Sequence, residues 1–300
     1  MSGGKPSSTV LYLLVAVMMF CWSGNYVAAR IVFREVPPEI VICVRTIVSA
    51  VVIIPIFWYQ SRGKKIEATW RDIGLLIVLG VGGITVNQLF WTLGVARTTV
   101  LHSSMIMATT PLWVLGMAAA MRLEPINRVR ILGIVIALAG VVSLQFIRTR
   151  AVSGQQQPTV LGDALLLGCA LPLAAMTVFG KRYKPRLGGI AVNAMGYVGG
   201  AILLAPLLWW AGRGFDFSRL STGAWLGMFY MGAFSSVAGY LIFYYVLAHI
   251  PASRAGAFQY LQPVIATGLA YLILGEPVGG QALAAGGMVF AGIFVTERFS

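Results

Sequence analysis

The sequence predicts an all-α integral membrane protein, with ten transmembrane helices arranged as two inverted five-helix repeats. Three observations predict it. Hydrophobic residues make up 58% of the 300 residues and charged residues only 10%, against roughly 25% charged in a soluble domain. Apolar runs of about 20 residues, the length that crosses a hydrocarbon core, recur along the whole chain. The second half also repeats the first: Pro111 and Pro263, Glu124 and Glu276, and Gly140 and Gly292 are each 152 positions apart.

The runs cover roughly 9–31, 38–60, 71–95, 98–121, 128–147, 160–180, 188–210, 221–248, 251–274 and 278–297. Lipid offers no hydrogen-bond partner, so the segments must be helices or a closed barrel. Continuous apolar runs favour helices, because barrel strands alternate over about 10 residues. Residues 1–8 read as a polar tail, 9–147 as the first repeat, 148–159 as a polar linker and 160–300 as the second repeat. Five spans are an odd number, so the second unit enters the bilayer from the opposite side.

The net charge of +13 follows the topology. With the N-terminus in the cytoplasm, 14 Lys and Arg fall on the inner side, 7 on the outer side, and Arg45 lies within a span. That excess places both termini inside. No basic stripe interleaves with aromatics on a soluble segment, which argues against a nucleic-acid partner. The first run is too long for a signal-peptide core and reads as a retained helix. Cys21, Cys43 and Cys169 fall inside spans without paired spacing, so they read as packing residues.

Spans 1 and 6 end in the matched cations Arg30 and Lys181, and spans 2 and 7 carry Pro55 and Pro206. Span 1 offers Trp22 and Asn25 as candidate ligands of a solute. Span 2 offers Arg45, an expensive intramembrane charge. It can hold a substrate carboxylate, snorkel to the outer interface, or pair with Glu39. Span 3 carries Asn87, Gln88 and Trp91, with Asn87 and Trp91 one turn apart on one face. Span 4 supplies Ser104 and, at its outer end, His102, which suits either an interfacial position or a pH-sensitive pathway wall. Spans 5 and 10 are Gly-rich and nearly free of polar groups, the signature of close helix packing.

In the second repeat, Ser236, Tyr240 and Tyr244 form one stripe of span 8, and Gln259 and Tyr260 sit in span 9. Tyr240, Tyr244, Gln259 and Tyr260 join the candidate binding set. Pro111 and Pro263 are candidate kinks or gates. Each frees the carbonyl four residues earlier, on Met107 and Gln259, for a substrate ammonium or for a neighbouring hydroxyl. Trp58, Trp209 and Trp210 read as interfacial anchors.

The mid-helix Pro, the Leu123-Glu124-Pro125 and Gly275-Glu276-Pro277 turns and the Gly-rich fifth helix resemble the EamA repeat of the drug/metabolite transporter superfamily. Within it the chain resembles bacterial amino-acid exporters of the YddG type. The resemblance implies alternating access and export of aromatic and other neutral amino acids across a bacterial inner membrane, by a protein working as a monomer. Export of other small metabolites or hydrophobic drugs is the neighbouring reading.

Absences narrow the choice. None of the nine acidic residues is mid-span, which disfavours a proton-coupled pump of cationic drugs. One intramembrane Arg is too few for phosphorylated sugars or nucleotides. No cofactor or metal site is expected, since two His cannot hold zinc without further ligands. An intramembrane hydrolase is disfavoured because no carboxylate lies mid-span to orient a histidine base beside Ser23, Ser103 or Ser104, leaving no catalytic residues to assign.

Overall fold

The computed structural model describes residues 7–62, 68–121, 127–145, 158–183, 188–249, 261–276 and 278–298, and among these there is no β-strand. The first repeat comprises α1 (Ser8–Val32), α2 (Pro38–Ser61), α3 (Trp70–Val95), α4 (Val100–Met107, continued as Thr110–Ala120) and α5 (Arg128–Gln145). The second comprises α6 (Val160–Tyr183), α7 (Gly188–Ala211), α8 (residues 222–249), α9 (Leu261–Leu274) and α10 (Gly280–Arg298). Seven of these helices are long and apolar enough to cross a membrane. Large hydrophobics such as Val51, Ile54, Val78, Ile202 and Leu203 are exposed, whereas Ser23, Arg45, Ser49, Asn87 and Gln88 are buried. That inversion of the usual pattern makes lipid the solvent of the outer face.

Local signals start and stop the helices. Ser7 caps α1 by accepting the Val10 amide, and Thr69 forms a capping box with Asp72 at α3. Pro38 opens α2, where a missing N–H costs nothing. Ser221 caps α8 and donates its hydroxyl to Glu35 at 2.6 Å, tying the α1–α2 turn to the second repeat. The Ser221 hydroxyl and amide also hold the exposed Glu35 carboxyl below its ordinary pKa. Gly275 ends α9 at φ 66°, a left-handed geometry that glycine adopts without strain.

Exchanging helix n for helix n+5 carries the main packing pairs onto one another. The pair α3–α6 becomes α8–α1, α4–α6 becomes α9–α1, and α3–α7 becomes α8–α2, while α2–α7 and α5–α10 map onto themselves. The α5–α10 seam shows why. A Cβ on Gly140 would meet the Val289 amide at 2.8 Å and the Ala285 carbonyl at 2.9 Å. A Cβ on Gly292 would meet the Ala137 amide and the Gly133 carbonyl, the same contacts displaced by one repeat. Close backbone approach gives dispersion contact where lipid removes any hydrophobic drive. Cation–aromatic pairs at helix ends repeat as well: Arg62 stacks on Trp58 at 4.4 Å at the end of α2, and Arg213 on Trp209 at 3.4 Å at the end of α7.

One departure from plain helix is also duplicated. Ile77–Thr85 in α3 and Tyr230–Ala238 in α8 are nine-residue π-helices at matching positions. The helix α4 is broken at Ala108–Thr109, and Pro111 lies in the first turn of its second segment. The Met107 carbonyl that Pro111 frees accepts the Thr110 hydroxyl at 2.6 Å, so the break is repaired locally. Pro263 is buried in the first turn of the described part of α9. Its upstream carbonyl, on Gln259, lies outside the described residues.

Candidate functional site

A cavity of about 60 Å³ opens between the two repeats. Seven candidate residues border it: Trp22 and Asn25 from α1, Arg45 from α2, Asn87, Gln88 and Trp91 from α3, and Tyr240 from α8. Tyr26, Met107, Leu173, Ser235 and Gln262 complete the wall. Trp22 and Leu173, and Gln88 and Tyr240, are related by the sequence repeat, so the cavity lies where the halves exchange. At ~10–15 Å³ per water it has room for about four to six. Ligand pockets are typically ~300–1,000 Å³, so loading a solute must enlarge it.

Arg45 is the chemical centre. Only 2% of it is exposed, and it neither snorkels nor pairs with Glu39, which sits in the first turn of the same helix. One terminal nitrogen donates to Ser236 Oγ at 3.0 Å and, at the limit of hydrogen bonding, to the Met231 carbonyl at 3.5 Å. The other reaches Thr92 Oγ1 at 3.4 Å. The guanidinium lies 5.3 Å from the Trp91 ring centre. Every one of these partners is uncharged. Among the described residues no carboxylate lies within ion-pair distance of Arg45, and its Nε has no acceptor.

The surrounding amides divide into two kinds. Asn87 is spent on structure: its Nδ2 donates to the Cys169 carbonyl at 2.8 Å, and its Oδ1 accepts from Tyr240 Oη at 3.0 Å. Gln88 Nε2 donates to Tyr197 Oη at 3.1 Å and Ser236 Oγ at 3.2 Å. Asn25 differs, because its buried Oδ1 has no partner among the described residues. Aromatic faces close the wall. Tyr26 meets Trp91 edge-on at 5.2 Å, and Trp22 meets Tyr240 edge-on at 5.7 Å while its indole N–H donates to the Ser235 carbonyl at 3.1 Å.

The π-helix of α8 makes part of this possible. Its wider turn leaves the Met231 carbonyl accepting Ser236 Oγ at 2.7 Å beside the Arg45 guanidinium. π-turns inside helices recur at functional sites.

Four candidates stand elsewhere or beyond description. Ser104 is buried but bonds to the Leu101 carbonyl of its own helix at 3.0 Å, away from the cavity. Tyr244 lies one turn past Tyr240 and reaches Met176 Sδ at 3.1 Å, also off the wall. Gln259 and Tyr260 are outside the described residues. His102 is buried and does not border the cavity, with Nδ1 at 3.0 Å from Thr98 Oγ1 and 3.4 Å from Asp163 Oδ1. Asp163 and Glu276 are not mid-span, yet both are buried. Glu276 pairs with Arg30 at 3.3 Å and accepts the Val100 amide at 3.1 Å.

Sequence reasoning passed over Tyr197 and Thr92 and underrated Ser236, although these three surround Arg45 and Gln88. Tyr197 had a signal, a hydroxyl-bearing ring in mid-span between Gly196 and Gly199.

Known proteins place this architecture. A solved crystal structure superimposes with a TM-score of 0.67 over 98% of both chains at 18% identity, a likeness of fold. An uncharacterized transporter of Archaeoglobus fulgidus is 28% identical over 96% of this chain and 98% of its own. A probable terminal-alkyne amino-acid exporter of Streptantibioticus cattleyicolor is 24% identical over 76% of this chain and 74% of its own. These relatives are transporters and not enzymes. The EamA-like transporter family model matches residues 9–145 and again 160–298, and the chain is a member of that family, a multi-pass membrane transporter built of two such repeats.

Proposed function

We propose that this protein exports amino acids, aromatic and other neutral ones, across the bacterial inner membrane by alternating access of its two repeats. The observation that carries the reading is the cavity wall. Among the described residues it sets a buried guanidinium without a carboxylate partner and an unpartnered amide oxygen beside aromatic faces. A carboxylate fits the free edge of Arg45 as a charge-assisted pair. Asn25 Oδ1 accepts from an ammonium, and Trp22, Tyr26 and Trp91 receive an apolar or aromatic side chain. The amino-acid exporter among the relatives supports the same class. Hydrophobic drugs without an acid group would leave Arg45 unpaired, which ranks that reading second.

In this reading the protein acts as a monomer with both termini cytoplasmic, an orientation that the distribution of basic residues supports. The cavity residues move little relative to their own repeat, while the repeats rock about them. The test is uptake of a labelled amino-acid panel into vesicles reconstituted with the purified protein. Neutral amino acids, phenylalanine and tryptophan included, are expected to enter several-fold faster than into protein-free vesicles. Flux equal to the protein-free control across the panel would overturn the assignment.

A further inference from the structure

We infer that the transporter is an exchanger, whose cavity crosses between faces readily only when a carboxylate-bearing solute sits on Arg45. The inference rests on the function proposed above and adds its mode of turnover.

Arg45 is among the most deeply buried side chains of the molecule and contributes a full charge. Its neighbours, Ser236 Oγ, Thr92 Oγ1 and the Met231 carbonyl, are neutral dipoles, and its Nε has no acceptor among the described residues. The part-buried contact of Arg30 with Glu276 is, by contrast, a complete cation–carboxylate pair. Arg45 cannot borrow that acid, which is already shared with the Val100 amide. A buried charge without a counter-ion is costly, and the cost is largest when the site is sealed from water.

Alternating access passes through a sealed form on every crossing. With an amino acid bound, the carboxylate pairs with Arg45 and the solute's ammonium is held by Asn25 Oδ1 and the aromatic faces, so the sealed form encloses partnered charges. Without one it encloses a bare cation in a low-dielectric wall. The crossing of the loaded protein is therefore fast and that of the unloaded protein slow. Net movement of one solute is then slow, and fast movement needs another carrying the same acid group in the opposite direction. A facilitated uniporter whose rate is indifferent to preloading needs the reverse, an unloaded return at least as easy as the loaded step.

The experiment uses the full chain in vesicles, in chloride-free buffer so that no small halide substitutes for the carboxylate. Uptake of labelled phenylalanine is compared between vesicles preloaded with unlabelled phenylalanine and vesicles loaded with buffer alone. Preloading is expected to raise the initial rate at least tenfold. Arg45→Gln removes the charge and should bring that ratio close to one, while Arg45→Lys keeps a cation and should preserve it. Equal wild-type rates with and without preloading overturn the exchange mode and leave transport intact. Absence of uptake in both arms overturns the functional reading and this inference together. A ratio unchanged in Arg45→Gln overturns the role given to the charge. Should that variant fail to fold, the wild-type ratio alone decides.

Discussion

The α5–α10 seam and the central cavity are built on the same repeat, but they use it in opposite ways. Across the seam each half presents the same atoms to the other: Gly140 sits on Ala285 and Val289, and Gly292 sits on Gly133 and Ala137, all pairs 152 apart. Around the cavity the equivalence of position survives and the equivalence of side chain does not. At the repeat offsets, Arg45 corresponds to Gly196, Asn25 to Met176 and Asn87 to Gly239. The substituted glycines make room for the first repeat's groups. A Cβ on Gly239 would strike the Trp22 indole, and one on Gly196 would lie 3.0 Å from the Gly80 carbonyl of α3. In the proposed mechanism, a seam of equal halves gives two tilts of the molecule similar energy, and a wall of unequal halves gives an asymmetric solute one orientation.

That contrast breaks first at Arg45. Replacing it with Leu removes hydrogen bonds to a charged group worth ~1.5–3 kcal/mol, so uptake of carboxylated solutes should fall by a factor of about 10–100. The melting temperature should hold or rise, because an uncompensated buried charge leaves with the side chain. Vesicle flux and thermal unfolding in detergent measure the two effects. Flux near the wild-type rate would remove Arg45 from the pathway.

The seam should respond the other way round. Gly292→Val pushes an isopropyl group, its Cβ foremost, against the Gly133 carbonyl and Ala137 amide, and overpacking of this kind costs ~1–3 kcal/mol. The expected result is a lowered melting temperature with near-normal flux per folded molecule. Gly287, on the same helix with nothing within 4 Å of its Cβ position, is the control, and Gly287→Val should change neither. A seam variant that keeps its stability would show that the halves do not bear on each other as closely as the geometry requires.

The parts legible in the sequence are those governed by periodic rules. Apolar length and the 152-residue offset locate helices to within a few residues, because lipid enforces one solution for the backbone. Arg45 is visible because an intramembrane charge is rare in any context. The stripe of Ser236, Tyr240 and Tyr244 shows where the pattern stops being sufficient. The π-turns of α8 end at Ala238, and only the first two residues of the stripe reach the cavity network. Nothing in the local sequence announces a π-helix, and none of the spacing rules applied here allows for one. Tyr197 escaped for a related reason: it belongs to a helix with no other candidate ligand. Its role appears only once α7 is packed against α3.

The finest test of the contrast uses two tyrosines one turn apart. Tyr240 Oη donates to Asn87 Oδ1 at 3.0 Å and its ring packs edge-on against Trp22, so it joins both repeats at the cavity wall. Tyr240→Phe keeps the ring and deletes one interhelical hydrogen bond, worth ~0.6 kcal/mol inside a membrane protein. Asn87 retains its bond to the Cys169 carbonyl, so α3 stays attached to α6. Flux should fall by about threefold, the factor that energy corresponds to. Tyr244→Phe deletes a contact with Met176 Sδ off the cavity wall and should leave flux unchanged. If the two variants behaved alike, the stripe as a whole and not the cavity would set the rate. The unequal walls would then be a property of packing, with no part in orienting the solute.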